Sequence, residues 1–340
     1  MNEFLKISDK RQTNAFEKVA KTLKIVPQAV EKDVWVTAIL RALFALPYAE
    51  HLSFKGGTSL SKCYHLIERF SEDIDIAVNR AFLGYSGTLS KTQIGSHLRR
   101  AACSFVREKL QFDLSKEIEN QEIDKNLFSV EVNITPISTT DPEIIEVYYK
   151  SLYNELSYLK PIVKLEISGR SMSGPLKKVA LQSFADKEFP TATFTERPFV
   201  VNAVVPERTF LEKVCLLHEE FAKSQEFIRS ERMSRHLYDL VKMFDTCIAE
   251  KSLSDRGLYQ SIVEHRKTFI GLKGFDYNTL APETINIIPP DNIIAQWRKD
   301  YETMRETMIY GKSLPFDELI NKIKELNKKI RGVNWPITCS

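Results

Sequence analysis

The sequence predicts an α/β chain in which a small mixed sheet with flanking helices is followed by a helical domain. Three observations carry that prediction. Residues 73–78, 128–134 and 162–168 alternate apolar and polar side chains with the two-residue period of a strand. Apolar residues before and between them recur at three- and four-residue spacing, the period of a helix packed on one face. After Pro206 the alternation largely disappears and helical periodicity takes over, so residues 1–205 are expected to form one domain and 206–340 a second.

The elements follow in order. Phe16, Val19, Ala20 and Leu23 mark a first helix, and Trp35, Ile39, Ala42 and Leu43 a second. Leu60, Cys63, Tyr64 and Ile67 predict a short amphipathic helix after a Gly-Gly pair, and Ile94, Leu98, Ala101, Ala102 and Phe105 predict another after the first strand. Residues 199–204 read as a further strand. In the second domain, Thr209 to Glu212 reads as a capping box ahead of Phe210, Val214, Leu217 and Phe221, and Leu237, Leu240, Val241, Phe244 and Ile248 mark the next helix. Pro282 to Pro290 reads as a loop, Trp297, Tyr301, Met304 and Met308 as one helical face, and Phe316 to Ile330 as a last helix with a basic tail.

Composition narrows the class. The chain has 340 residues, 43% hydrophobic and 27% charged, ordinary values for a globular protein, and no apolar run approaches membrane-spanning length. Its N-terminus lacks a secretory apolar region, so a cytoplasmic protein with no membrane partner is expected. Cys63, Cys103, Cys215, Cys247 and Cys339 have no Cys-x-x-Cys spacing, which argues against a zinc site and a disulfide framework. A net charge of +3 does not announce a polyanion binder; the basic clusters at residues 97–109 and 322–331 are each read as a solvated helix face or a polyanion contact.

The stretch from Phe54 to Val78 holds the chemistry. Gly56 and Gly57 permit a tight turn and close approach to a ligand, and Thr58, Ser59 and the following amides can hold phosphate oxygens. Alternation puts Asp73 and Asp75 on one strand face, with Ile74 and Ile76 on the other. Two adjacent carboxylates repel unless a cation lies between them, and Mg²⁺ or Mn²⁺ there could bridge triphosphate oxygens during phosphoryl transfer. On the 162–168 strand, Lys164 and Glu166 share the face opposite Val163, Leu165 and Ile167; Glu166 could complete the metal site or act as a base, and Lys164 could contact phosphate. Glu131 is the competing carboxylate, and a Lys-Glu pair on a solvated sheet face is the plainer reading.

These motifs resemble those of the DNA polymerase β-like nucleotidyltransferase superfamily. The Lys55-Gly-Gly-Thr-Ser-Leu-Ser-Lys62 and Arg69-Phe-Ser-Glu-Asp-Ile-Asp75 strings resemble its AbiEii/MenT branch of bacterial toxins, and Glu31-Lys-Asp-Val-Trp-Val-Thr resembles an opening segment of that family. Lys164-Leu-Glu-Ile followed by Gly-Arg-Ser resembles the second motif and favours Glu166 over Glu131. Leu211-Glu-Lys-Val resembles the third, and Arg235-His-Leu-Tyr-Asp-Leu the fourth, with His236 where the family usually has Asp.

The resemblance implies a polymerase β-like nucleotidyltransferase domain. It also implies a Mg²⁺-dependent enzyme that moves a nucleoside monophosphate from an NTP to an acceptor, a toxin whose acceptor is tRNA and whose antitoxin is encoded alongside. Asp73, Asp75, Glu166, Lys213 and Asp239 would be catalytic, the first three as metal ligands, and Lys55, Gly56, Gly57, Thr58, Ser59, Lys62, Arg69, Ser71 and Lys164 would contact the nucleotide. By spacing alone Lys213 is a lysine snorkelling from an apolar stripe, and Arg235 with Asp239 a surface salt bridge. A transferase acting on a small molecule or protein, and a non-catalytic NTP-binding regulatory module, are the rival functions.

Overall fold

The computed structural model describes residues 3–70, 73–133, 143–154 and 159–335. They form two compact units, Met1–Cys63 with Phe70–Val204, and Tyr64–Arg69 with Val205–Ser340.

The first unit is built on a seven-stranded mixed sheet. Its strands are β1 (Leu52–Lys55), β2 (Asp73–Val78), β3 (Phe128–Asn133), β4 (Glu143–Tyr149), β5 (Ile162–Ser168), β6 (Leu176–Leu181) and β7 (Phe199–Val204), in the order β3-β4-β5-β2-β1-β7-β6. Strand β2 lies between β1, antiparallel to it, and β5, parallel to it. Three strands were not anticipated. β1 is only four residues long and runs straight into the glycine turn. β4 starts with a buried charge, Glu143, which obscures its alternation. β6 is an edge strand whose Leu176, Lys177 and Lys178 are exposed, so no buried face imposes a pattern. Ile134, expected to close β3, lies outside the described residues.

Helix α1 (Asp9–Leu23) packs on α2 (Pro27–Ala45), whose contacts with β5 and β7 place it against the sheet. Fourteen residues of α2 are buried, including the consecutive charges Glu31, Lys32 and Asp33. Helix α3 (Gly56–Lys62) follows β1 and packs on β1 and β2. It stops at Lys62, earlier than its apolar spacing suggested: His65 adopts a φ of 52°, and Ile67 is buried outside any helix. Helices α4 (Leu98–Phe105) and α5 (Gln111–Asn120) follow, and α6 (Phe184–Glu188) is capped by Ser183.

The second unit is helical: α7 (Pro206–Phe221), α8 (Ser234–Phe244), α9 (Ile248–Ser254), α10 (Arg256–His265), α11 (Ile294–Thr307) and α12 (Phe316–Arg331). The expected capping box at Thr209 does not form. Helix α7 begins four residues earlier, with Val205 as its N-cap and Pro206 at its first position, where the missing N–H costs nothing, and Glu212 pairs with Arg208 instead. Trp297 and Tyr301 of α11 are fully buried and Met304 nearly so, which makes that face core. Among the described residues no helix is long and apolar enough to cross a membrane.

Candidate active site

In the first unit the glycine turn and the aspartate pair meet. Ile74 and Ile76 are completely buried, and the residues between and before them, Asp75 and Asp73, are half-buried on the opposite face. Lys55 of β1 stands in register with Asp75, its Nζ 3.9 Å from an Asp75 carboxylate oxygen. The chain then turns through Gly56 at φ +77°, and a Cβ added there would lie 1.9 Å from Asp75 Oδ2. Glycine is required twice over, for the left-handed backbone and for the space the carboxylate occupies. Gly56→Ala is therefore expected to cost roughly 1–2 kcal/mol from the backbone alone. It also displaces Asp75, so any transfer activity should fall about a hundredfold, as for a 1 Å misplacement of a reacting group. Melting and rate measurements on the one variant check both parts.

The flanking residues divide. Thr58 is buried and its hydroxyl donates to the Asp73 backbone carbonyl, fastening α3 to β2. Ser59 is buried on the same helix. Lys62, expected near phosphate, is instead buried in an ion pair with Asp33 of α2. Ser71 lies outside the described residues.

Across the sheet, Glu166 is the register partner of Asp75, and Lys164 that of Asp73. Lys164 is half-exposed and pairs with Glu146 at 3.3 Å, a partner not anticipated because β4 itself was missed. Glu131 sits on the edge strand β3, with β4 and β5 between it and β2. At about 4.8 Å per strand that is roughly 14 Å away, so of the two carboxylates only Glu166 neighbours the aspartates. Among the described residues no three His, Cys, Asp or Glu groups converge closely enough to hold a metal ion by themselves. The donor set still fits a hard divalent cation. Mg²⁺ takes one or two carboxylates together with substrate phosphates and waters more often than an all-protein cage, and the aspartate pair offers that chemistry.

The second unit holds a charged cluster of its own. Asp239 of α8 is fully buried and accepts two hydrogen bonds from Arg69, Nε and Nη2 each at 2.7 Å. The Lys213 ammonium of α7 lies 3.0 Å from the same carboxylate and 3.2 Å from His236 Nδ1. Burial alone would raise the Asp239 carboxyl, but the Arg69 and Lys213 charges outweigh it and hold that carboxyl well below the usual carboxylate range. Burial lowers Lys213, opposed by Asp239, and burial with the neighbouring Lys213 and Arg235 charges keeps His236 neutral. Lys213 is thus not snorkelling, and Asp239 reaches across its unit to residues 26 and 170 positions away in sequence instead of forming a surface pair with Arg235. Tyr238 and Lys242 also bind Glu68, so one turn of α8 secures residues 68 and 69 together.

A glycine turn seated on an Asp-x-Asp strand within a mixed sheet has the layout of a nucleotidyltransferase. A family model described as "Nucleotidyl transferase AbiEii toxin, Type IV TA system" matches residues 38–322, and the chain belongs to that family. No curated protein matches. Among solved structures, the chain is similar to MenT4, the nucleotidyltransferase toxin Rv2826c from Mycobacterium tuberculosis H37Rv, with 14% identity over 93% of this chain and 99% of that one and a TM-score of 0.43.

Proposed function

We propose that the protein transfers a nucleoside monophosphate from an NTP to a tRNA hydroxyl and is the toxin of a pair whose antitoxin is encoded alongside it. The observation that most supports this is the contact of Gly56 with Asp75, with Glu166 in register beside them. The acceptor hydroxyl gives up its proton to solvent water or to a carboxylate as its oxygen attacks the α-phosphorus, the bond to the bridging oxygen breaks, and pyrophosphate leaves. Asp73 and Asp75, together with substrate phosphates and waters, would hold Mg²⁺ or Mn²⁺, with Glu166 as a further carboxylate beside them, and the bound ion would neutralise charge on the triphosphate. Lys55, Gly57, Ser59 and Lys164 contact the nucleotide, and Glu166 alternatively takes the acceptor's proton. In the second unit, Asp239, itself held by Arg69, fixes the position of the Lys213 ammonium. The place of action is the cytoplasm, where tRNA is available.

The test is incubation of the protein with each labelled NTP and total cellular RNA, protein and metabolites. Label is expected in the RNA fraction, falling steeply with added salt as cations compete for a polyanionic acceptor. Expression of the wild-type chain should arrest bacterial growth, and Asp75→Asn should relieve the arrest at equal protein level. Unimpaired growth with label confined to a small metabolite would transfer the reading to a small-molecule transferase.

A further inference from the structure

Asp33 and Lys62 form an ion pair in which both residues are at most 8% exposed, between the middle of α2 and the last residue of α3. The other Asp33 oxygen accepts the Phe184 backbone N–H at 2.7 Å, and the Lys62 ammonium lies 5.4 Å from the Phe184 ring centre. Taking a carboxylate and an ammonium out of water costs as much as their attraction returns, and apolar replacements of such pairs are commonly no less stable. Stability alone therefore does not account for the pair; what it supplies is a defined direction.

Helix α3 needs that direction. Seven residues are too few to persist as a helix unaided, so its orientation is set by its tethers. Beside the packing of buried Leu60, two side-chain tethers hold it: the Thr58 hydroxyl on the Asp73 carbonyl near its start and Lys62 on Asp33 at its end. At a rise of about 1.5 Å per residue, Thr58 lies roughly 3 Å from Gly56 and 6 Å from Lys62 along the axis. A 1 Å swing at the Lys62 end about that pivot moves the turn by roughly 0.5 Å. Gly56 is already in contact with Asp75, so the turn and the carboxylate cannot shift independently.

We infer that Asp33 is a positioning residue for nucleotidyl transfer, acting through Lys62 to set the tilt of α3 and hence the seat of the glycine turn against Asp75. This rests on the reading proposed above. It also gives Lys62 a role that requires no contact with substrate.

The test compares wild type, Asp33→Asn with Lys62→Met, and Lys62→Arg by melting, NTP-dependent kinetics and hydrogen exchange. The double variant should remain folded, with kcat at least tenfold lower and KM for the NTP within threefold, while Lys62→Arg keeps kcat within threefold. A folded double variant with wild-type kcat would reduce the pair to a packing feature. If the double variant does not fold, Asp33→Glu, which keeps the charge but lengthens the arm, replaces it under the same expectations. Should the wild-type protein label no acceptor, the functional reading fails. The positioning role is then judged by exchange of the Leu60–Cys63 amides, which α3 itself hydrogen-bonds and which should quicken in the variant while the rest of the unit is unchanged; unaltered protection there would overturn it.

Discussion

Replacing Asp73 and Asp75 together with asparagine is expected to reduce nucleotidyl transfer by about a thousandfold or more while leaving the protein folded. The two halves have separate physical origins. A divalent cation contributes several kcal/mol of charge stabilisation in the transition state, and each 1.36 kcal/mol is a factor of about ten in rate. In the proposed mechanism, amides could not supply the ligand charge that would hold it. The fold does not depend on that charge, because both side chains are half-buried on the face opposite the Ile74 and Ile76 core contacts, and asparagine relieves the repulsion between neighbouring carboxylates. Transfer of labelled nucleotide and thermal melting, measured on one preparation, report the two halves. Wild-type turnover in the double variant would remove these aspartates from the mechanism.

Asp239→Asn should behave in the opposite way, with its main effect on stability. The substitution leaves Arg69 and Lys213 buried beside a neutral amide, and breaking a buried charge pair costs about 3–5 kcal/mol. For a chain of this size that lowers the melting temperature by roughly 10 °C. The pH dependence has a defined sign. Asp239 titrates below its ordinary 3.8 in the folded state, so its contribution is complete above that value and fades as pH falls through the lower folded value. His236 is likewise shifted down from 6.5, so protonation favours the unfolded chain and stability begins to fall as pH drops below about 6.5. Melting from pH 8 to pH 3 should show loss on the acid side in the wild type. Asp239→Asn should be less stable throughout and lack the lowest-pH component. An Asp239→Asn protein that melts like the wild type would mean that Arg69 and Lys213 find other partners.

Local pattern carried far where one face of an element is buried and the other is not. Strand β2 was legible because Ile74 and Ile76 must enter the core, which forces Asp73 and Asp75 to the other side. The same rule exposed β5, α7, α8 and the buried face of α11. It gave no purchase on β6, an edge strand with exposed lysines, or on β4, where buried Glu143 is held by Arg107 from a different element. It also misplaced the end of α3, since the spacing of Leu60, Cys63, Tyr64 and Ile67 is equally compatible with a chain that leaves the helix and buries Ile67 elsewhere.

What the sequence by itself determined is the set of chemical groups: a Gly-Gly turn and two carboxylates alternating on a strand, close enough together that few folds could separate them. Only the tertiary structure decided which charges meet. Glu166 rather than Glu131 neighbours the aspartates because strand order, not strand pattern, sets that distance. Lys62 turns to Asp33, and Lys213 with Arg69 to Asp239, because an ion leaving water must find its counter-ion wherever the packed elements bring one, and that partner can lie 29 or 170 residues away. Periodicity reports which side of an element is dry; it does not record what waits on the other side of the interface.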